Sequence, residues 1–223
     1  MPQADPCLLQ PGQTVAFDGD SLTCRRQPPA LDTWPFLQLM NWRDTYAEHV
    51  SQWLFCVRPE LNLTFRNVAV GGSSCRELLD RLDGQLLPLR PDWVILTVGA
   101  NDQAREIPLE EFGRSMRRYA GAIAEASGGR CLFVGGFQAC PHAQDHMGAR
   151  CAEQQPYYRE LAAVAAEHDG IYLDAGSELH RKAEVLYEQS SAHTVYSDGC
   201  HFNAVGSRIV AAEVLRALGA VTF

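Results

Sequence analysis

Short apolar runs rich in β-branched residues alternate, from one end of the chain to the other, with longer stretches whose apolar positions recur at helical spacing. Thr14-Val15-Ala16-Phe17 reads as a buried first strand that ends in the Asp18-Gly19-Asp20 turn. Tyr46, Val50, Trp53, Leu54 and Val57 share one face of an amphipathic helix. Leu63 to Val70 is a second strand, stopped by Gly71-Gly72, and Ser74 to Glu77 has capping-box spacing for a helix through about Leu87. Trp93 to Val98 is a third strand, closed by Gly99. Pro108-Leu109-Glu110-Glu111 opens the next helix, with proline in the first turn and acids at the positive end of the dipole. Cys131 to Val134 is a fourth strand, followed by a longer loop and a helix around Tyr157 to His168. Gly170 to Leu173 is a short fifth strand, and Ala204 to Leu218 is the last helix, with Gly219 as its stop.

Five strands separated by helix-length connections predict a parallel sheet covered on both faces and wound right-handedly. No linker, repeat or low-complexity stretch interrupts the pattern, so residues 1–223 are expected to form a single α/β domain. Ligands of such sheets bind outside the carboxyl ends of the strands. Ser21, Gly72 and Asn101 fall just after strands one, two and three, at that rim.

Composition narrows the function. The chain is 46% hydrophobic and 21% charged with a net charge of −8, so the clustered basic surface of a nucleic-acid binder is absent. Its longest apolar runs are strand-sized, too short to span a bilayer as a helix. The stretch Met1 to Cys7 has neither a basic start nor an apolar core, so a cytoplasmic protein is expected, although a trimmed leader would leave the same sequence. Eight cysteines show no paired CxxC spacing and are expected to be free thiols. Cys140 and Cys151, which flank the long loop, are the candidate pair for a disulfide.

Four short segments carry the chemistry. Ser21 follows a strand end and a Gly-Asp turn, a bend from which a hydroxyl can project, but a serine needs a base to be nucleophilic. His201 stands three residues after Asp198 with a glycine between them, a spacing that lets the carboxylate hold one imidazole nitrogen while the other faces the serine. The backbone N–H groups of Ser21 and Gly72 and the amide of Asn101 are candidate donors to an oxyanion. There is no G-x-S-x-G elbow, no P-loop and no G-x-G-x-x-G.

Phe17-Asp18-Gly19-Asp20-Ser21-Leu22-Thr23, Asn67 to Ser73, Val98-Gly99-Ala100-Asn101-Asp102 and Asp198-Gly199-Cys200-His201-Phe202-Asn203 resemble blocks I, II, III and V of the SGNH (GDSL) hydrolase superfamily. In block II, Gly72 takes the place of the oxyanion glycine, with Gly71 beside it as the alternative. Members often carry proline where Phe202 stands, a departure away from the reacting atoms. The resemblance spans residues 14 to 218. It implies a flavodoxin-like three-layer α/β/α sandwich with sheet order 2-1-3-4-5, and hydrolysis of esters or thioesters without a cofactor. It further implies a Ser21-His201-Asp198 triad with a Ser21, Gly72 and Asn101 oxyanion hole.

The expected activity is that of a serine carboxylesterase on short acyl groups, acetyl groups on carbohydrates among them. Its partners are a small ester or thioester substrate, with no nucleic acid and no membrane. Thioesterase, lysophospholipase and acyltransferase activity would use the same site, and an inactive flavodoxin-like binding module is the rival from another class. Asp20, Arg25, Trp34, Asp102 and His142 are the candidate substrate contacts. Cys140, His142, His146 and Cys151 have residue types that suit zinc, but their spacing matches no familiar motif and no metal is expected. Cys24, Cys75 and Cys200 each stand within three residues of a motif residue and are expected to pack as small side chains around a tight site.

Overall fold

A computed structural model describes residues 7–24, 44–137, 145–190, 194–197 and 201–221. The five strands are β1 (Thr14–Gly19), β2 (Thr64–Asn67), β3 (Trp93–Thr97), β4 (Arg130–Gly135) and β5 (Ile171–Asp174). They form one parallel sheet, as the pattern of strands and helices predicts, in the order β2-β1-β3-β4-β5 that the family resemblance implies. The helices are α1 (Tyr46–Val57), α2 (Cys75–Arg81), α3 (Ala100–Ala104), α4 (Leu109–Ser127), α5 (Asp145–Glu167), α6 (Ala175–Gln189) and α7 (Ala204–Ala217). Helices α1, α6 and α7 pack against one another in one layer, and α2, α4 and α5 in the other, which gives the three-layer sandwich.

The central strands are apolar on both sides because both faces are covered. Every residue of β3 is buried, and so are five of the six in β1 and β4. Gly19 ends β1 at φ +117°, and a Cβ there would lie 2.1 Å from the Thr97 carbonyl oxygen of β3. Only glycine permits that approach, which brings the chain leading to Ser21 hard against the neighbouring strand.

Sequence and structure differ most in four places. Strand β2 is shorter than the apolar run suggests, yet Val68 N–H still donates to Phe17 O at 2.9 Å and Val70 N–H to Gly19 O at 3.1 Å. The pairing thus continues to the Gly71-Gly72 loop although regular strand geometry has ended. Beyond Arg81 the predicted helix loosens into a π turn over Leu82–Leu86 and a 3₁₀ turn over Leu87–Leu89, where Pro88 cannot donate the bond an α-helix requires. Helix α5 starts at Asp145 and runs through Pro156, where the sequence reads as a loop. Helix α6 has no counterpart in the sequence reading. Asp174, the last residue of β5, doubles as its N-cap by accepting from Ser177 N–H at 3.0 Å, so no turn separates strand from helix. Gly176 in its first turn further disguises it.

Candidate active site

Ser21 lies in the turn after β1, where Thr23 N–H and Cys24 N–H both donate to Asp20 O, at 3.1 and 2.8 Å. Its hydroxyl oxygen is 2.9 Å from Nε2 of His201, across 180 positions of sequence. A hydroxyl bonded to an imidazole nitrogen can lose its proton to that nitrogen as it attacks a carbonyl carbon. For Nε2 to accept, the proton of the neutral ring must sit on Nδ1, where a carboxylate can hold it. Asp198, expected in that place, lies outside the described residues.

His201 is presented by a small antiparallel clip between Tyr196 and Phe202. Ser197 N–H donates to His201 O at 2.8 Å, and Asn203 N–H donates to Val195 O at 3.0 Å. Phe202 packs on Phe137 and Tyr196, with ring centroids 5.1 and 6.1 Å away. The residue that departs from the family pattern thus anchors the clip in the aromatic part of the core. Asn203 caps α7 with Oδ1 bonds from Val205 and Gly206 N–H, and its Nδ2 donates to Thr194 O at 2.7 Å.

The loop after β2 reaches the same place. A side chain at Gly71 would begin 3.8 Å from Ser21 Cβ and 3.5 Å from Cys24 Sγ. Gly72 has φ +80°, the left-handed conformation glycine favours, and among the described residues nothing lies within 4 Å of where its Cβ would be. Asn101, in the first turn of α3, donates one Nδ2–H to Ser73 O at 3.0 Å. Among the described residues, the Ser21 and Gly72 N–H groups and the second Nδ2–H of Asn101 meet no acceptor.

Asp20 and Asp102, candidate substrate contacts by sequence, face inward. Asp20 is 2% exposed, and its Oδ1 accepts from Leu22 N–H at 3.0 Å and Thr97 Oγ1–H at 2.7 Å. Burial lifts its carboxyl to about 6 despite those bonds. Asp102 is fully buried, and its two oxygens accept from Cys75 N–H at 2.8 Å and Gly99 N–H at 3.2 Å. Burial raises its carboxyl too. Both carboxylates are therefore spent on holding the site loops together. Arg25, Trp34 and His142 lie outside the described residues, as do Cys140, Cys200 and the side chains of His146 and Cys151. Cys75 is buried and Cys24 is half-buried beside Gly71, the small-residue packing the sequence suggests.

A cavity of about 440 Å³ opens beside Ser21 and His201, walled by Leu22, Asp44, Thr45, Ser197, Phe202, Asn203, Ala204 and Ser207. Among the described residues, no helix is long and apolar enough to cross a membrane.

Arg81 has no part in the sequence reading. Its Nη2–H donates to Asp18 Oδ1 at 2.6 Å and to Gly19 O at 3.0 Å, while Nη1–H reaches Ser73 Oγ at 2.8 Å. One guanidinium thus joins the end of β1 to the Gly71–Ser73 loop. Tyr119 Oη–H completes the cluster by donating to Asp18 Oδ2 at 2.6 Å. A charged residue on the core side of α2, in register with Leu78, is the signal that points to it.

The model of the GDSL-like lipase/acylhydrolase family matches residues 17–209. An acetylxylan esterase of Geobacillus stearothermophilus is 26% identical over 226 residues, covering 93% of this chain and 94% of its own. Two solved structures share the fold. A variant of an acetyl-xylooligosaccharide esterase from Geobacillus superposes with TM-score 0.78 at 21% identity, covering 94% of this chain and 95% of its own. An alpha/beta hydrolase from the metagenome of Lake Arreo, Spain, superposes with TM-score 0.75 at 21% identity, covering 98% and 100%.

Proposed function

The chain belongs to the GDSL-like lipase/acylhydrolase family and is a carboxylic ester hydrolase, and from that premise we propose that Ser21 is its nucleophile, His201 its base and Asp198 the acid that orients His201. The observation that carries this reading is the 2.9 Å bond between Ser21 Oγ and His201 Nε2. His201 takes the serine proton as Oγ bonds to the ester carbonyl carbon. The oxyanion that forms accepts from the N–H groups of Ser21 and Gly72 and from the second Nδ2–H of Asn101. Collapse expels the alcohol, which receives the proton from His201, and leaves Ser21 acylated. Water, deprotonated by His201, then adds to the acyl carbon and releases the carboxylic acid with Ser21 restored.

The substrate assigned to the site is a short acyl ester, an acetyl group borne by a carbohydrate. Two findings support it. The acetylxylan esterase relative aligns over nearly the full length of both chains. The cavity is modest in volume, and Asp44, Thr45, Ser197 and Asn203 in its wall suit a polar alcohol better than a lipid tail.

Labelling with a fluorophosphonate, followed by mass spectrometry, tests the assignment. Stoichiometric modification of Ser21 is expected, and none in His201→Ala. Ser21→Ala and His201→Ala should each lose about 10³-fold or more in turnover of acetylated xylooligosaccharides, and Asn101→Ala about 10²-fold. A folded protein that resists the label, or an Ala variant that keeps its turnover, overturns the reading.

A further inference from the structure

Two consecutive carbonyls of the loop bearing Gly72 are gripped from a single turn of helix. Asn101 Nδ2–H donates to Ser73 O at 3.0 Å. Arg105, four residues on and just past the end of α3, donates Nη2–H to Gly72 O at 2.7 Å. Because Arg105 N–H also bonds Asn101 O at 3.0 Å, the two gripping residues share one rigid turn.

The guanidinium is itself held from its other edge. Nη1–H donates to Glu77 Oε1 at 2.6 Å, and Glu77 Oε2 accepts from the N–H of Ser74 at 2.8 Å and from its hydroxyl at 2.5 Å. Burial pushes the Glu77 carboxyl up, but the bonds from Ser74 and Arg105 win and hold it at about 2, so it stays charged at any working pH. Arg105 therefore bridges the start of α2, the glycine loop and the turn bearing Asn101.

An ion pair this exposed, with side chains 47% and 45% accessible, adds little to stability. Its geometric effect is larger. Among the described residues, no neighbour packs against the Cβ position of Gly72, and its left-handed φ is one that glycine enters and leaves readily. Hydrogen bonds fix the peptide there: Ser73 N–H holds one side of it to Val70 O at 3.2 Å, and Arg105 holds its carbonyl to the turn bearing Asn101. Donors to a developing oxyanion work because they are already in place when charge appears, and a displacement of about 1 Å can cost about 10²-fold in rate.

We propose that Arg105 is a positioning residue for the oxyanion donors, locking the Gly72 carbonyl to the turn that bears Asn101 so that the Gly72 N–H and the Asn101 amide keep one spacing. The inference rests on reading Gly72 and Asn101 as those donors. A lysine replaces the guanidinium only in part, because a single ammonium lacks the planar fork that reaches Gly72 O and Glu77 together.

The test is steady-state hydrolysis of 4-nitrophenyl acetate by Arg105→Ala and Arg105→Lys, with Ser21→Ala measured alongside. Arg105→Ala should lower kcat about tenfold while KM stays within about twofold, and Arg105→Lys should fall between it and the parent. Urea midpoints of both variants should match the parent, which separates positioning from folding. A kcat within twofold of the parent overturns the inference, as does a loss confined to KM, which would make Arg105 a substrate contact. Turnover retained by Ser21→Ala would instead overturn the assignment of the site on which the inference rests.

Discussion

Asp18 and Asp20 flank one glycine at the end of β1, and the two helical layers treat them differently. Asp18 faces α2 and α4, where it meets a full counter-charge from Arg81 together with Tyr119 Oη–H and Gly19 N–H. Burial raises its carboxyl, and Arg81 pulls it back. Asp20 forms no ion pair among the described residues, and charge on His201 is the smallest of the influences on its carboxyl. Its bond from Thr97 opens a chain of hydroxyls, Thr97 to Thr23 to Tyr46, each step 2.8 Å, ending on α1 in the opposite layer. The same backbone end is thus tied to one layer by charge and to the other by neutral hydrogen bonds. The two ties should fail in different ways. A missing partner on the first side leaves a buried charge uncompensated, whereas the second side answers to pH.

The largest effect is expected on the charged side. Arg81→Ala should lower the unfolding free energy by about 3–5 kcal/mol in urea, because Asp18 is left buried without its cation. Combining Asp18→Asn with Arg81→Met should recover most of that loss. A double variant as weak as the single one would shift the importance to the Arg81 bonds with Gly19 and Ser73.

On the neutral side the signature is pH. The folded-state carboxyl of Asp20 stands near 6 against an ordinary 3.8, so the folded protein holds the proton more tightly than the unfolded chain does. Its contribution is fully present below pH 3.8 and is lost as pH rises through 6. Asp18 shifts in the same direction, so the useful quantity is the difference between Asp20→Asn and its parent. That difference should move in favour of Asp20→Asn by up to roughly 3 kcal/mol between pH 4 and about 7. A difference that stays flat with pH would mean Asp20 is ionised throughout.

The smallest change is expected at the far end of the hydroxyl chain. Tyr46→Phe removes one buried bond to Thr23 and should cost about 1 kcal/mol, with no pH dependence between about 5 and 8. A loss several times larger would show that the hydroxyls act as a cooperative unit.

What the sequence discloses follows from how local each signal is. The strands follow from apolar runs closed by glycines, because a covered parallel sheet makes every central strand apolar regardless of its neighbours, whereas their order follows only from the family resemblance. Ser21 and His201 are legible because each sits in a motif whose spacing is local, although the bond between them is not. Side-chain direction is a different matter. Nothing in Gly19-Asp20-Ser21 tells that Asp20 turns inward to Thr97 while Ser21 turns toward His201. The Asp18–Arg81 and Asp18–Tyr119 contacts join residues 63 and 101 positions apart, and no local spacing pairs them. Helix α6 was hidden for the opposite reason: its start signal is too local, since one aspartate ends the strand and caps the helix at once.

The clip that carries His201 has a consequence for how long the enzyme keeps working. Ser21 follows a strand paired on both edges, whereas the described part of the clip has one bridge with two backbone bonds, side-chain bonds from Ser197 Oγ–H and Asn203 Nδ2–H, and an aromatic anchor on Phe137. A segment joined through a single bridge opens at a lower free energy than a sheet paired along its length. Warming should therefore silence the catalyst before circular dichroism reports unfolding, which parallel activity and circular-dichroism melts would check. Engineering for industrial shelf life should aim at the Phe202–Phe137 contact before it touches the strands.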